Sequence, residues 1–305
     1  MIISLCALFL LRASLPIETV SQNRPVQDFK AFHNLAYRPG PSKQWRLDLA
    51  LPKKLDSPRP AILVIHGGGW IEGDKSSFTS REHGVPGNII DFAALGFVAA
   101  TMNYRLADEA PYPAALEDCQ CAVRWLRAHA KEYHIDPDRI GVYGNSAGGH
   151  LALLLGMPAA QIKVSADAPF ANQSSRVQAV VSDSGPIDLQ YQYEQNRLRE
   201  VVRRFTGGPP EGVRIETYRK ASPLHQITKD CAPMLLIYGG EDEQVPIENA
   251  DQLLTTLTRA GVKDVSYHRL AQAGHCPHSL VRVPSMKTAV EEFFVRTLMK
   301  AEGRR

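Results

Sequence analysis

The feature that most constrains the fold is an alternation of short apolar runs with longer helical patterns, which starts near residue 44. Most of these runs are continuously apolar, as expected for strands that are covered on both faces. Strands that alternate with helices predict an α/β fold, with a mostly parallel central sheet flanked by helices on both faces. The predicted strands span residues 45–51, 61–65, 97–102, 140–142, 179–181, 234–237 and 265–267.

Two helices are clear from their spacing. Residues 116–133 carry one apolar stripe at alternating steps of three and four, and the stripe stops before a turn at 136–138. A second helix is predicted over 247–260, where Gly261 is a suitable C-terminal cap. The polar, arginine-rich stretch 190–229 breaks the rhythm and predicts a small helical insertion over the strand ends. Such an insertion either shapes a substrate pocket or is a plain surface excursion.

Composition excludes several classes of protein. With 305 residues, 44% of them hydrophobic, the chain can bury a large core. The net charge of +3 is small and the basic residues are scattered, which argues against a nucleic-acid partner. The five cysteines do not form a recognisable disulfide framework, so we expect buried thiols. Nothing in the sequence indicates an oligomeric state.

The N-terminus resembles a targeting segment. Residues 1–11 are apolar but too few to span a bilayer, so we expect no stable membrane insertion. The run fits the apolar part of a signal peptide, although the positively charged residues that usually precede that part are missing. We therefore set residues 1–20 apart as a signal-like segment and treat residues 21–305 as one domain. Secretion or export to the periplasm is expected, with a buried N-terminal segment in a cytoplasmic protein as the alternative.

Ser146 lies in a Gly-x-Ser-x-Gly turn between an apolar strand and a helix of small residues. A turn this sharp strains the serine backbone and leaves its hydroxyl clear of both elements. The helix that follows offers free N–H groups and a partial positive charge, which suit an oxyanion. A dinucleotide-binding loop would need glycine where Ser146 stands, so a serine nucleophile is the better interpretation.

A serine nucleophile needs a base, and the base needs an orienting acid. Asp242 follows the predicted strand 234–237, and His275 follows the last strand, so both are expected at the edge of the sheet where Ser146 lies. We predict that Asp242 is the acid and His275 the base. The rivals in the sequence are Glu241, Glu243, Asp183 and Asp188 for the acid and His278 for the base.

Acyl transfer also needs hydrogen-bond donors for the oxyanion. The loop after the strand 61–65 reads His66-Gly67-Gly68-Gly69-Trp70, and its glycines let backbone amides approach a reacting carbon. We predict that the amides of Gly68, Gly69 and Ala147 form the oxyanion hole. Trp70 and Asn145 are assigned to substrate binding, with a place in the core as the alternative for Trp70.

With these residues assembled, the chain resembles the α/β-hydrolase superfamily over roughly residues 40–300, and within it the esterases that include bifunctional acetylxylan/feruloyl esterases. The resemblance implies a cofactor-free and metal-free serine hydrolase that cleaves carboxylic esters through an acyl-enzyme. It implies the triad roles for Ser146, Asp242 and His275. The segments that carry it include residues 66–70, 73–75, 103–106, 125–133, 135–141, 146–151, 221–223 and 274–275.

Several functions remain open from the sequence. We expect an esterase for short or aromatic acyl groups, which could be acetyl or feruloyl esters of plant polysaccharide. Kynurenine formamidases share a related loop and elbow, so an arylformamidase is an alternative. Hormone-sensitive-lipase-like esterases usually carry an acidic residue where this chain has Asn145. A non-catalytic binding protein is a further alternative, because this fold also hosts receptors.

Overall fold

The computed structural model describes residues 29–79, 88–195, 198–277 and 283–299. Its centre is one eight-stranded sheet with the strand order β1-β2-β4-β3-β5-β6-β7-β8. The strands are β1 (Phe29–Ala36), β2 (Arg46–Pro52), β3 (Arg59–Ile65), β4 (Val98–Met102), β5 (Ile135–Asn145), β6 (Ala179–Asp183), β7 (Met234–Gly239) and β8 (Val265–Leu270).

The sheet is mostly parallel. β2 pairs antiparallel with both β1 and β4 at one edge. The remaining pairs, from β4-β3 through β5, β6 and β7 to β8, are all parallel. The carboxyl ends of the parallel strands therefore meet at one rim. The helices are α1 (Ile89–Ala94), α2 (Ala114–Ala128), α3 (Ala147–Leu155), α4 (Leu189–Glu194), α5 (Arg199–Thr206), α6 (Arg214–Ala221), α7 (Ile247–Arg259) and α8 (Pro284–Leu298).

Side chains that alternate along the strands feed two cores, one on each face of the sheet. In β3, Leu63 packs into the core that also takes α2, α3 and α7, whereas Ile62 and Val64 pack against α1 and α8. All three β3 side chains are fully buried, which explains why the run reads as continuously apolar. The helices cover both faces, as the alternation predicts.

The predicted strands and the doubly covered sheet are confirmed. The stretch 190–229 is helical as predicted, because it contains α4, α5, α6 and a 3₁₀ turn at Pro223–Gln226. Two features differ from the prediction. β1 was missed, since it is an edge strand whose side chains are mostly exposed. α2 ends at Ala128 rather than near Tyr133, because the chain turns at His129.

The remaining sequence predictions concern the cysteines and the N-terminus. Cys119, Cys121, Cys231 and Cys276 are all buried thiols and form no disulfide within the described residues. The predicted signal-like segment 1–20 and Cys6 lie outside the described residues. Among the described helices, none combines the length and hydrophobicity that a bilayer crossing requires.

Candidate active site

Ser146 stands alone between β5 and α3, with backbone angles of φ 50° and ψ −121°. This conformation is rarely adopted by a residue with a side chain, and such strain costs roughly 1–3 kcal/mol. The glycines around it are required by close approach. A Cβ added at Gly144 would lie 2.2 Å from the carbonyl oxygen of Gly148, and one added at Gly148 would lie 2.1 Å from that of Ile65. Only glycine at these positions lets the strand, the helix and β3 converge beneath the serine.

The three residues predicted as nucleophile, base and acid form one hydrogen-bonded chain. The Ser146 hydroxyl oxygen lies 2.9 Å from Nε2 of His275. Nδ1 of His275 lies 2.7 Å from Oδ2 of Asp242. Because a carboxylate only accepts, Nδ1 carries the proton and Nε2 is left to accept from the serine hydroxyl. The side chain of Asp242 is fully buried and that of His275 is 10% exposed, so the pair is shielded from water.

Backbone contacts hold the acid and the base in place. The second oxygen of Asp242 accepts from the backbone amides of Gln244 and Val245, at 2.8 Å each. The amide of Cys276, next to the base, donates to the Ser184 hydroxyl at 3.0 Å. Ser184 itself follows β6, so that strand fixes the loop that carries His275. The Asp242 side chain and the loop that carries His275 are thus held by contacts that do not involve Ser146.

The rival residues lie elsewhere or serve other purposes. Glu241 and Glu243 are exposed on either side of Asp242. Asp188 caps α4, where its side chain accepts from two backbone amides of the first turn. Asp183 is buried, and its carbonyl oxygen accepts from the Ser146 amide at 2.8 Å. His278 lies outside the described residues.

The glycine loop after β3 faces the serine. Gly68 and Gly69 adopt φ values of 100° and 57°, and within the described residues their amides donate to no backbone carbonyl. Ala147 is the first residue of α3, and amides at that position have no acceptor within their own helix. These are the N–H groups predicted to form the oxyanion hole, and they come from the glycine loop and from the first residue of α3.

A buried tyrosine braces this loop. The Tyr104 hydroxyl donates to the carbonyl oxygen of His66 at 3.1 Å, and its ring stacks on the His66 ring with centroids 4.5 Å apart. His66 in turn donates from Nδ1 to the Gly67 carbonyl, at 2.7 Å. Burial lowers the pKa of His66, which favours the neutral ring. Tyr104 lies in one of the segments that carry the family resemblance, and its contacts with His66 show that it positions the loop.

A cleft of about 520 Å³ opens onto Ser146 and His275. Its apolar wall comes from the glycine-loop side and from the insertion, and its polar lining includes Glu72, Asn145 and Gln244. Among the described residues that line it there is no lysine or arginine. The apolar wall residues are Ile71, Phe78, Leu198 and Val201. None of them stands out in the sequence. Leu198 and Val201 belong to the insertion, which therefore shapes the pocket and is not a plain surface excursion.

The two residues assigned to substrate binding have different positions. Asn145 lines the cleft, and its Oδ1 is buried without a hydrogen-bond partner in the described residues. Trp70 does not reach the cleft; its side chain is 1% exposed. Trp70 has a positive φ of 60°, and its ring lies inside the fold, where it stacks on Phe205 with centroids 4.3 Å apart. The core alternative is therefore the correct one for Trp70.

One buried histidine lies directly behind the nucleophile. His150, in the first turns of α3, donates from Nε2 to the carbonyl oxygen of Ala221 at 2.7 Å. Burial lowers its pKa to about 4. The Trp70 ring packs edge-on against it, with centroids 5.0 Å apart. His150 thus joins α3 to the insertion as a neutral ring.

Comparison with known proteins shows similarity to one protein family and to several esterases. The family model BD-FAE matches residues 47–257. The chain is 31% identical to Esterase LipC of Mycobacterium tuberculosis over 225 residues, which are 72% of this chain and 53% of the relative. The chain spans about half the length of the curated relatives it matches.

Solved structures share the fold. A truncated carbohydrate esterase from gut microbiota superimposes with a TM-score of 0.75 at 24% identity, over 90% of this chain and 98% of the other. An acetyl ester-xyloside bifunctional hydrolase from Caldicellulosiruptor lactoaceticus gives a TM-score of 0.67 at 25% identity, over 82% and 88%.

Proposed function

The chain belongs to the BD-FAE family, and from this premise we propose that it is a serine hydrolase of carboxylic esters. The observation that carries the proposal is the hydrogen-bonded chain from Ser146 through His275 to Asp242 at the mouth of a cleft. The names of related proteins, Esterase LipC among them, support the same reaction class.

In the proposed first step, Nε2 of His275 takes the proton of the Ser146 hydroxyl as the oxygen attacks the ester carbonyl. The distance of 2.9 Å between the two atoms suits this transfer. Asp242 holds the ring in the tautomer that leaves Nε2 free to accept, and it stabilises the imidazolium that forms. The protonated ring then gives its proton to the leaving alcohol, and an acyl group remains on Ser146.

The tetrahedral intermediate needs donors for its oxyanion. We assign this role to the amides of Gly68, Gly69 and Ala147, which flank the nucleophile. Each such donor is worth about 3 kcal/mol of barrier. In the second half of the reaction, His275 removes a proton from water, the hydroxide attacks the acyl-enzyme, and the carboxylic acid leaves as Ser146 regains its proton.

For the substrate we propose esters of short or aromatic acyl groups, such as acetyl or feruloyl groups on plant polysaccharide. Support comes from the cleft, because α5 of the insertion packs directly against the glycine loop. A Cβ added at Gly69 would lie 2.8 Å from Cγ1 of Val201, so Val201 bounds the cleft closely at Gly69. The lining residues Glu72, Asn145 and Gln244 offer partners for a hydroxyl-rich alcohol.

The test is a series of p-nitrophenyl esters from acetate to decanoate, measured with the wild type and with Ser146→Ala. We expect kcat/KM to be highest for acetate and to fall at least tenfold by decanoate, with Ser146→Ala inactive on all of them. Equal or greater activity on the long chains would contradict the short-acyl assignment.

A second arm identifies the natural acyl and leaving groups. Acetylated xylan, methyl ferulate and N-formylkynurenine are compared at matched concentrations. Release of acetate or ferulate supports the polysaccharide-ester assignment. Turnover of N-formylkynurenine alone would instead assign the same triad to an arylformamidase.

A further inference from the structure

The helix α5 of the insertion packs against two consecutive residues of the glycine loop. Val201 and Phe205 are four residues apart, so they share one face of α5. Val201 reaches Gly69, because a Cβ added there would lie 2.8 Å from its Cγ1 and 4.0 Å from its Cγ2. Phe205 stacks on Trp70, the next residue of the loop, with the ring planes 17° apart. One turn of α5 therefore covers the loop that carries the proposed oxyanion donors.

Contacts with the body of the protein hold α5 in this position. The backbone amide of Tyr112 donates to the Phe205 carbonyl oxygen at 2.6 Å. The Phe205 ring also packs edge-on against the rings of Tyr112 and His150, with centroids 5.8 Å and 5.5 Å apart. Arg204 pairs with Asp108. The second half of α5 is thus tied to its neighbours, and the wall that Val201 forms is fixed with it.

Val201 stands between this anchored helix and the cleft. Its side chain is half-buried against the core and also lines the cleft. Leu198, at the cap of α5, lines the cleft as well, whereas Val202 is fully buried and does not. The two described residues by which α5 and its cap face the cleft are therefore both aliphatic.

The chemistry of the proposed reaction decides which part of the ester lies at this wall. The carbonyl oxygen has to approach the amides of Gly68 and Gly69. The alcohol oxygen has to face Nε2 of His275, from which it takes a proton. Of the two groups on the carbonyl carbon, the acyl chain is the one left to lie beside Gly69. A branched side chain packed against that glycine limits the size of the acyl chain.

We propose that Val201 is a specificity-determining residue, which sets the upper size of the acyl group that Ser146 accepts. The inference rests on the proposed esterase function and adds to it the residue that limits the acyl chain. Val201→Ala removes two methyl groups from the wall and makes room for roughly two methylenes of a substrate. Burial of each methylene is worth about fourfold in kcat/KM.

The test compares p-nitrophenyl acetate with p-nitrophenyl butanoate in the wild type, in Val201→Ala and in Val201→Thr. In Val201→Ala the butanoate-to-acetate ratio of kcat/KM should rise roughly tenfold. Partial unfolding cannot produce such a rise, because loss of folded protein lowers both rates equally. Threonine has nearly the shape of valine, so Val201→Thr should keep the wild-type ratio within about threefold. An unchanged ratio in Val201→Ala, or an equal rise in Val201→Thr, would overturn the proposal.

Alkyl acetates test the alcohol part of the ester in the same variants. The ratio of kcat/KM for butyl acetate to that for methyl acetate should be the same in Val201→Ala as in the wild type, within about twofold. If this ratio rose and the acyl ratio did not, Val201 would bound the alcohol group and the proposal would be wrong.

A third variant covers the case in which Val201→Ala does not fold. Val201→Leu adds one methylene to the wall, and its butanoate-to-acetate ratio should fall about fourfold. An unaltered ratio in Val201→Leu would then overturn the proposal. The wild type separates this inference from the function on which it rests. A folded wild type that hydrolyses none of these esters would refute both, whereas an active wild type with unaltered ratios in the variants would refute only the role of Val201.

Discussion

The interior of the sheet and its carboxyl rim are built from the same strands but differ in backbone conformation. In the interior of β3, Ile62, Leu63 and Val64 are fully buried in regular extended backbone. At the rim, several residues with side chains adopt positive φ values directly after a strand or its loop. They are Trp70, Ser146, Ser184 and Cys276, at 60°, 50°, 55° and 52°.

This difference separates stability from chemistry. Burial in the interior contributes on the order of 1.5–3 kcal/mol for each large apolar side chain. At the rim, strained backbone lowers the stability of the fold. The same strain directs side chains such as the Ser146 hydroxyl into the cleft. Substitutions at the rim should therefore change catalysis with little effect on stability, and substitutions in the interior should do the reverse.

The largest expected effect is at the rim. Asp242→Asn should lower kcat about 10⁴-fold, because an amide can donate to His275 and favour the wrong tautomer. The free energy of unfolding should change by less than about 1 kcal/mol, since the asparagine oxygen can still accept from the amides of Gln244 and Val245. Kinetics with p-nitrophenyl acetate and urea denaturation measure the two quantities.

The matched control is Asp251→Asn, which changes a carboxylate that pairs with Arg269 at the surface. It should leave kcat within about twofold of the wild type. A loss below tenfold for Asp242→Asn would remove Asp242 from the proposed mechanism.

The interior should show the opposite signature. Leu63→Ala removes a fully buried side chain from the middle of β3 and should cost 2–5 kcal/mol of unfolding free energy, on the order seen for such truncations. The kcat/KM of the protein that remains folded should stay within about threefold. Val213→Ala, at a side chain that is 90% exposed, is the control and should be neutral. If Leu63→Ala lost activity in proportion to stability, the two regions would not be separable.

The last effect is confined to low pH and concerns His150, which lies between the interior and the rim. Its pKa of about 4 in the folded chain is below the value of about 6.5 in the unfolded chain. Between these values the unfolded state binds more protons, so stability is present above pH 6.5 and is lost as the pH falls to 4. The loss attributable to His150 is about 3 kcal/mol over that window.

His150→Gln should remove this part of the pH dependence, because glutamine can still donate to the Ala221 carbonyl and does not titrate. The measurement is urea denaturation between pH 4 and pH 7. His225→Gln, at an exposed histidine, is the control and should follow the wild type. If the wild type and His150→Gln lost the same free energy of unfolding between pH 7 and pH 4, protonation of His150 would not be the cause of the loss.

The interior was predictable from sequence because burial on both faces leaves a direct pattern, as in the run 61–65. β1 was not, since its exposed edge has no such pattern. The apolar spacing also misplaced the end of α2. Ala130 and Tyr133 continue the stripe, and Tyr133 does pack on Trp125 with ring centroids 5.4 Å apart. Tyr133 makes this contact from a turn after the helix. Apolar periodicity alone does not distinguish such a turn from a continuation of the helix.

At the rim, the residues that carry chemistry were predictable and their supports were not. Ser146, Asp242 and His275 were found from their positions after strands, and the structure brings them together. The inward turn of Trp70 depends on Phe205, which lies far along the chain in the insertion. The bracing by Tyr104 and the contact between Ser184 and Cys276 are likewise tertiary, so no local signal reveals them.

The central claim is that Ser146 is activated by His275. Its most direct test is reaction of the native chain with a fluorophosphonate probe, followed by intact-mass and peptide analysis. The account predicts one probe adduct per chain, located on Ser146, and none on folded Ser146→Ala. A folded wild-type chain that stays unlabelled, or an Ser146→Ala variant that is labelled as well as the wild type, would contradict it.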